Sequence, residues 1–127
     1  MDKNAYYKKM FLIAALWNWI FSISMILLSI ATPSIAEDFG VEIPLTWFFF
    51  HLMWFFAFLF GLLFFVTGRN LEKYHGLAGI FVIEKVGAFL IGLVYYLMGD
   101  INEAGLLIVI GDLIFGMLFL EHWIKFE

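Results

Sequence analysis

The sequence has no cysteine, and its two prolines bound a single loop among 127 residues. Without cysteine there are no disulfide staples, thiol nucleophiles or cysteine-ligated metals. Charge is also scarce. Asp, Glu, Lys and Arg make up 14% of the chain, against about 25% in an ordinary soluble domain. Several familiar motifs are missing: there is no G-x-G-x-x-G, Walker A, G-x-S-x-G, H-E-x-x-H or H-x-x-x-H pattern. Nothing favours nucleic-acid binding beyond a few scattered cations. What remains is strongly apolar, with 65% hydrophobic residues and 17 phenylalanines. A soluble domain of this length still exposes about a third of its extended-chain surface and could not hide that surplus. Soluble enzymes, disordered tails and disulfide scaffolds are thereby excluded, leaving a membrane protein.

A bilayer core about 30 Å thick needs roughly 20 mostly apolar residues per helix. Four stretches meet that requirement, over about 10–30, 45–66, 76–98 and 104–123. The expected fold is a single all-α transmembrane domain, 1–127, a four-helix bundle running up-down-up-down with both termini on one side. Thr32-Pro33 should end the first helix, because the residue before proline disfavours the α conformation. Pro44 is expected near the first turn of the second, where its missing N–H costs nothing. Between the prolines, Ile35, Ala36, Phe39 and Ile43 alternate with acids and suggest a short amphipathic turn at the interface. Lys8-Lys9, the following apolar run and Ser34-Ile35-Ala36 mimic a signal peptide. The run is too long for one and contains Asn18, so an uncleaved span is expected.

Cations outside the spans are sorted. Lys3, Lys8, Lys9, Arg69, Lys73 and Lys125 fall on one side, whereas Glu37, Asp38, Glu42, Asp100 and Glu103 fall on the other. The positive-inside rule then places both termini in the cytoplasm of a multi-pass cell-membrane protein. Trp47, Tyr6, Tyr7, Tyr74, Tyr95, Tyr96 and Trp123 lie near span ends as an aromatic belt. His51 sits near the outer end of the second span, and His75 and His122 lie at the inner rim. About 25–30 Å of bilayer separates His51 from the other two, so no shared metal or haem is expected. His75, Glu121 and His122 could approach each other at that rim.

Ionisable residues inside a span are costly and suggest function. Glu84 and Lys85 in the third span and Asp112 in the fourth are of this kind, and Asn18 is strongly polar in the first. At 1.5 Å per residue, Lys85, Asp112 and Asn18 lie about 13, 16 and 12 Å from the same end. Small residues accompany them at helical spacing: Ala78, Ala88 and Gly92 with Lys85; Gly105 and Gly116 with Asp112; Ala14, Ala15 and Ser22 with Asn18. Such faces let membrane helices approach and bond across the contact. A Lys85–Asp112 ion pair is expected, with Asn18 as third partner. Glu84, turned by about 100° from Lys85, faces another neighbour or joins from the edge. Trp17 in the first span and Trp54, Phe58 and Gly61 in the second are candidate pocket walls, and phenylalanines surround the second span on every side.

The chain resembles small four-span membrane proteins of prokaryotes of the DoxX-like type. The resemblance rests on Tyr7-Lys8-Lys9, Ala15-Leu16-Trp17-Asn18, the Pro33–Pro44 loop with Phe39-Gly40, and Gly61. It continues through Arg69-Asn70, Lys85 and Gly111-Asp112-Leu113. It implies a compact four-helix bundle, often of unknown role and sometimes associated with membrane redox complexes. It carries over no catalytic residues.

The polar layer has a structural reading, as a pair that fixes helix register. The leading functional reading is a non-enzymatic binding or accessory protein, in which Asn18, Glu84, Lys85 and Asp112 orient a lipid-like or quinone-like ligand. A second reading is a proton-coupled transporter or channel subunit, with Asp112, Glu84 and Lys85 as the relay. A third is an enzyme acting on a lipid. The expected partners are membrane lipids and a homo-oligomer or larger membrane complex. No cofactor is called for beyond a bound lipid or quinone.

Overall fold

A computed structural model describes residues 2–126, and among them every regular element is helical. Helix α1 spans Lys3–Ala31. It begins well before the apolar run because Asp2 caps it, its Oδ1 accepting from the Ala5 N–H at 2.8 Å. A side-chain oxygen there satisfies one of the orphan donors of the first turn. The head's lysines therefore ride on helix. The helix stops at Ala31, and Thr32, the residue before Pro33, is its C-cap. A single turn, α2, follows over Ile35–Asp38 with Ala36 buried.

Helix α3 spans Phe48–Arg69. Pro44 lies outside it, contrary to its expected place in the first turn. The helix starts later, where the Thr46 hydroxyl accepts from the Phe48 N–H at 3.3 Å. At the other end the Asn70 N–H closes the last turn on Val66 and Thr67. Its side-chain oxygen accepts from the Lys73 N–H at 3.2 Å, which starts the short α4, Leu71–Tyr74. A 3-10 turn over His75–Leu77 leads into α5, Ala78–Leu97. Helix α6 spans Glu103–Lys125.

The long helices form two antiparallel hairpins, each a compact unit. In the first, α1 packs on α3. Phe11 lies against Gly68, Trp19 against Gly61 and Ser29 against His51, so position advances on α1 as it falls on α3. In the second, α5 packs on α6. Gly79 meets Trp123, Phe81 meets Phe119, and Gly92 meets Val109. The turn 34–43 belongs to this second unit. Asn102 holds it there: its N–H donates to the Phe39 carbonyl at 2.9 Å, and its amide donates to the Asp38 carbonyl at 2.8 Å. The Asn102 Oδ1 meanwhile caps α6 by accepting from the N–H groups of Ala104 and Gly105.

Four segments, Lys3–Ala31, Phe48–Arg69, Leu71–Leu97 and Glu103–Lys125, are long and apolar enough to cross a membrane. Large side chains such as Ile13, Ile20, Leu27, Ile83, Ile91, Leu107 and Ile114 stand more than half exposed. Water would penalise so much contiguous apolar surface, whereas lipid tails accept it. The chain is thus all-α and built for a membrane, with the four apolar helices that a four-helix bundle requires.

Candidate functional site

The second hairpin carries the charged cluster near the middle of both its helices. Lys85 is 1% exposed, and its ammonium donates to the Asp112 carboxylate at 2.9 Å. That is the length of a charge-assisted bond. Helix α6 comes close because Gly116, one turn beyond Asp112, has no side chain. A Cβ there would lie 3.2 Å from the Cβ of Lys85 and 3.0 Å from a methyl of Val86. Small residues on the Asp112 face thus allow the contact that the ion pair spans. The Phe115 ring lies beside the pair, with its centroid 6.0 Å from the Lys85 nitrogen.

Glu84 joins from the edge. Its Oε2 is 3.8 Å from the Lys85 nitrogen, beyond hydrogen-bonding distance. Among the described residues, this buried oxygen has no hydrogen-bond partner. One ammonium therefore faces two carboxylates, one held tightly and one loosely. Glu84 and Asp112 remain partly accessible, with 22% and 15% of their side-chain surfaces exposed. The arrangement offers an acceptor with spare capacity beside a fixed donor.

Asn18 belongs to the first hairpin. Its amide donates to the Ala57 carbonyl of α3 at 2.9 Å, and its own carbonyl accepts from the Ser22 hydroxyl. A backbone acceptor of this kind has no sequence signature. The four candidate wall residues lie in the same hairpin. Trp17 packs on Phe21 with centroids 4.6 Å apart, and Trp54 packs on Phe50 at 6.3 Å. Phe58 contacts Trp19 at 6.3 Å. Gly61 is the close point of the hairpin. A Cβ added to it would lie 2.5 Å from the indole nitrogen of Trp19, so Trp19 fills the notch. The indole nitrogens of Trp19 and Trp54 are both buried without a hydrogen-bond partner.

The histidines are held by local contacts. His51 Nε2 lies 2.8 Å from the Ser29 hydroxyl, and its ring stacks on Trp47. His75 and His122 both pack on Phe126, with centroids 5.0 and 4.9 Å away. No known protein family, curated protein or solved structure matches this chain.

Proposed function

We propose that this is a small polytopic membrane protein of the binding or accessory type, whose Glu84–Lys85–Asp112 cluster orients the polar end of a lipid-like or quinone-like ligand. One observation carries the reading: Glu84 Oε2 is buried without a hydrogen-bond partner beside an ammonium that Asp112 already engages. A buried acceptor left unmatched costs free energy. A ligand hydroxyl could donate to it. Apolar helices around the cluster suit a ligand that is otherwise hydrophobic. The test is native mass spectrometry with extraction of bound lipid and quinone, comparing the full chain with Lys85→Met/Asp112→Leu. Loss of a stoichiometric ligand from the folded double variant supports the reading. A folded double variant that retains the same lipid and quinone complement overturns it.

The second reading is a proton-coupled transporter or channel subunit. It is favoured by the cluster's excess of one carboxyl over its single ammonium, a group that could carry a proton. Four short helices enclose little volume, so transport would require an oligomer. Proteoliposomes without pH- or voltage-dependent flux would dismiss it. In both readings the protein resides in the cell membrane with its termini in the cytoplasm, because Lys3, Lys8, Lys9, Arg69, Lys73 and Lys125 lie on the termini's side of a four-span topology.

A further inference from the structure

The first hairpin contains a second feature, far along α1 and α3 from Asn18 and unrelated to the charged cluster. Lys8, Lys9, Leu12, Phe65, Gly68 and Arg69 line a groove of about 290 Å³. Among the described residues, no carboxylate lines it. Lys8 and Leu12 are one turn apart on α1, and Arg69 and Phe65 are one turn apart on α3, so each pair shares a helix face. The helices are antiparallel, and on both the cation lies at the hairpin's end with the apolar residue one turn deeper. The groove thus changes from cationic to apolar in a single direction, from the end of the hairpin toward its middle. Gly68 forms its base. A Cβ there would lie 2.9 Å from the Cβ of Phe11, so glycine permits the close approach of the helices beneath the groove. The Arg69 guanidinium stands 5.7 Å from the Phe65 centroid, a cation–π distance that fixes its direction.

We infer that this groove binds one anionic phospholipid, with the phosphate between Lys8, Lys9 and Arg69 and an acyl chain along Leu12 and Phe65. A phosphodiester anion is attracted by all three cations, and arginine can grip it with two parallel bonds. A cation-to-apolar gradient parallel to membrane-spanning helices has the polarity of a phospholipid, headgroup outermost. A free phosphate would use the cations and leave the apolar half of the groove empty. Basic residues beside membrane helices attract anionic leaflets in general. Here convergence from two helices onto one groove makes the attraction a site with a stoichiometry.

The test is native mass spectrometry of the full chain from vesicles of equal phosphatidylglycerol and phosphatidylcholine. The wild-type protein is expected to retain a single phosphatidylglycerol, enriched several-fold over phosphatidylcholine. Lys8→Gln/Lys9→Gln/Arg69→Gln should lose the enrichment, whereas Lys73→Gln/Lys125→Gln, cations outside the groove, should keep it. Arg69→Gln alone should give an intermediate value, which serves if the triple variant does not accumulate. Three results would overturn the inference: no enrichment in the wild-type protein, equal loss in both sets of variants, or full displacement of the lipid by inorganic phosphate. The first removes the site, the second reduces it to diffuse attraction, and the third assigns it to a free anion. The ligand test of the Glu84–Lys85–Asp112 cluster is read on different variants, so either proposal can fail alone.

Discussion

At the scale of single residues, the buried Lys85 and the half-buried Trp19 set the sharpest expectations. Lys85→Met would leave Asp112 and Glu84 as buried carboxyls without their shared cation. Breaking a buried pair from one side typically costs about 3–5 kcal/mol. Unfolding in mixed micelles should therefore show a loss of about 3 kcal/mol or more for Lys85→Met. Lys85→Met/Asp112→Leu should cost less than that single change, since it leaves fewer uncompensated groups. A double variant worse than the single would mean that the pair is not what stabilises the site. Trp19 offers the contrasting case. Its indole nitrogen is buried without a hydrogen-bond partner and abuts Gly61. Gly61→Ala should destabilise by about 1–3 kcal/mol through overpacking. Trp19→Phe, which forfeits no hydrogen bond, should recover much of that loss in the Gly61→Ala background. Additive costs in this cycle would deny the contact. The ion pair was readable from the sequence because charges are rare inside spans and helical spacing fixes their faces. The Trp19–Gly61 contact was not, because several aromatic residues on α1 could have filled one glycine notch. Only the register between the helices selects Trp19.

At the scale of elements, the helices follow from apolar length, and their ends follow from caps. Thr32 before Pro33 ended α1 as the proline rule requires. The start of α1 at Lys3 was less apparent, because the lysine-rich head is not apolar and the signal lies in the single side chain of Asp2. Pro44 misled for a related reason: proline suits a first turn but does not compel one. Asn102, just before the fourth span, is a residue type that caps helices, but nothing in the sequence pointed to its tether. It caps α6 with its Oδ1 and tethers residues 34–43 with its amide and N–H. Asn102→Ala removes the cap and one tether together. Loss of a cap alone costs about 1 kcal/mol. Limited proteolysis should cut within 34–43 several-fold faster in this variant, while Asn102→Asp, which keeps the capping oxygen, should restore α6 more than the turn. Unchanged cleavage in Asn102→Ala would show that the turn is held by other contacts. The cationic groove was also missed at this scale. Lys8, Lys9 and Arg69 read as markers of orientation, and only the antiparallel pairing of α1 with α3 brings them to one place.

For the molecule as a whole, composition alone pointed to the class, and the few charged residues are what the proposed orientation rests on. The absence of cysteine makes that orientation simple to check, since any introduced thiol is the only one. In intact cells, a membrane-impermeant maleimide should label Glu37→Cys and Asp100→Cys and leave Asn4→Cys unlabelled until the cells are opened. The reverse pattern would invert the proposed topology. Function is the least legible property at this scale. A binding site for a hydrophobic ligand is made from the same apolar side chains as a helix contact. Only the polar exceptions, Glu84, Lys85 and Asp112, mark a difference.

The bond between Asn102 and Asp38 joins residues 64 apart in the chain. Synthesis adds about 5–20 residues per second, so the 34–43 turn must wait several seconds after its own emergence before Asn102 exists to hold it. During that interval α3 is made, and its contacts with α1 need nothing from the later chain. The first hairpin can therefore close while its connecting turn is still untethered, and the tether is added from the start of the last helix. Biogenesis of this protein would then proceed hairpin first and turn last, with the 34–43 segment as the stretch exposed longest to proteases and chaperones.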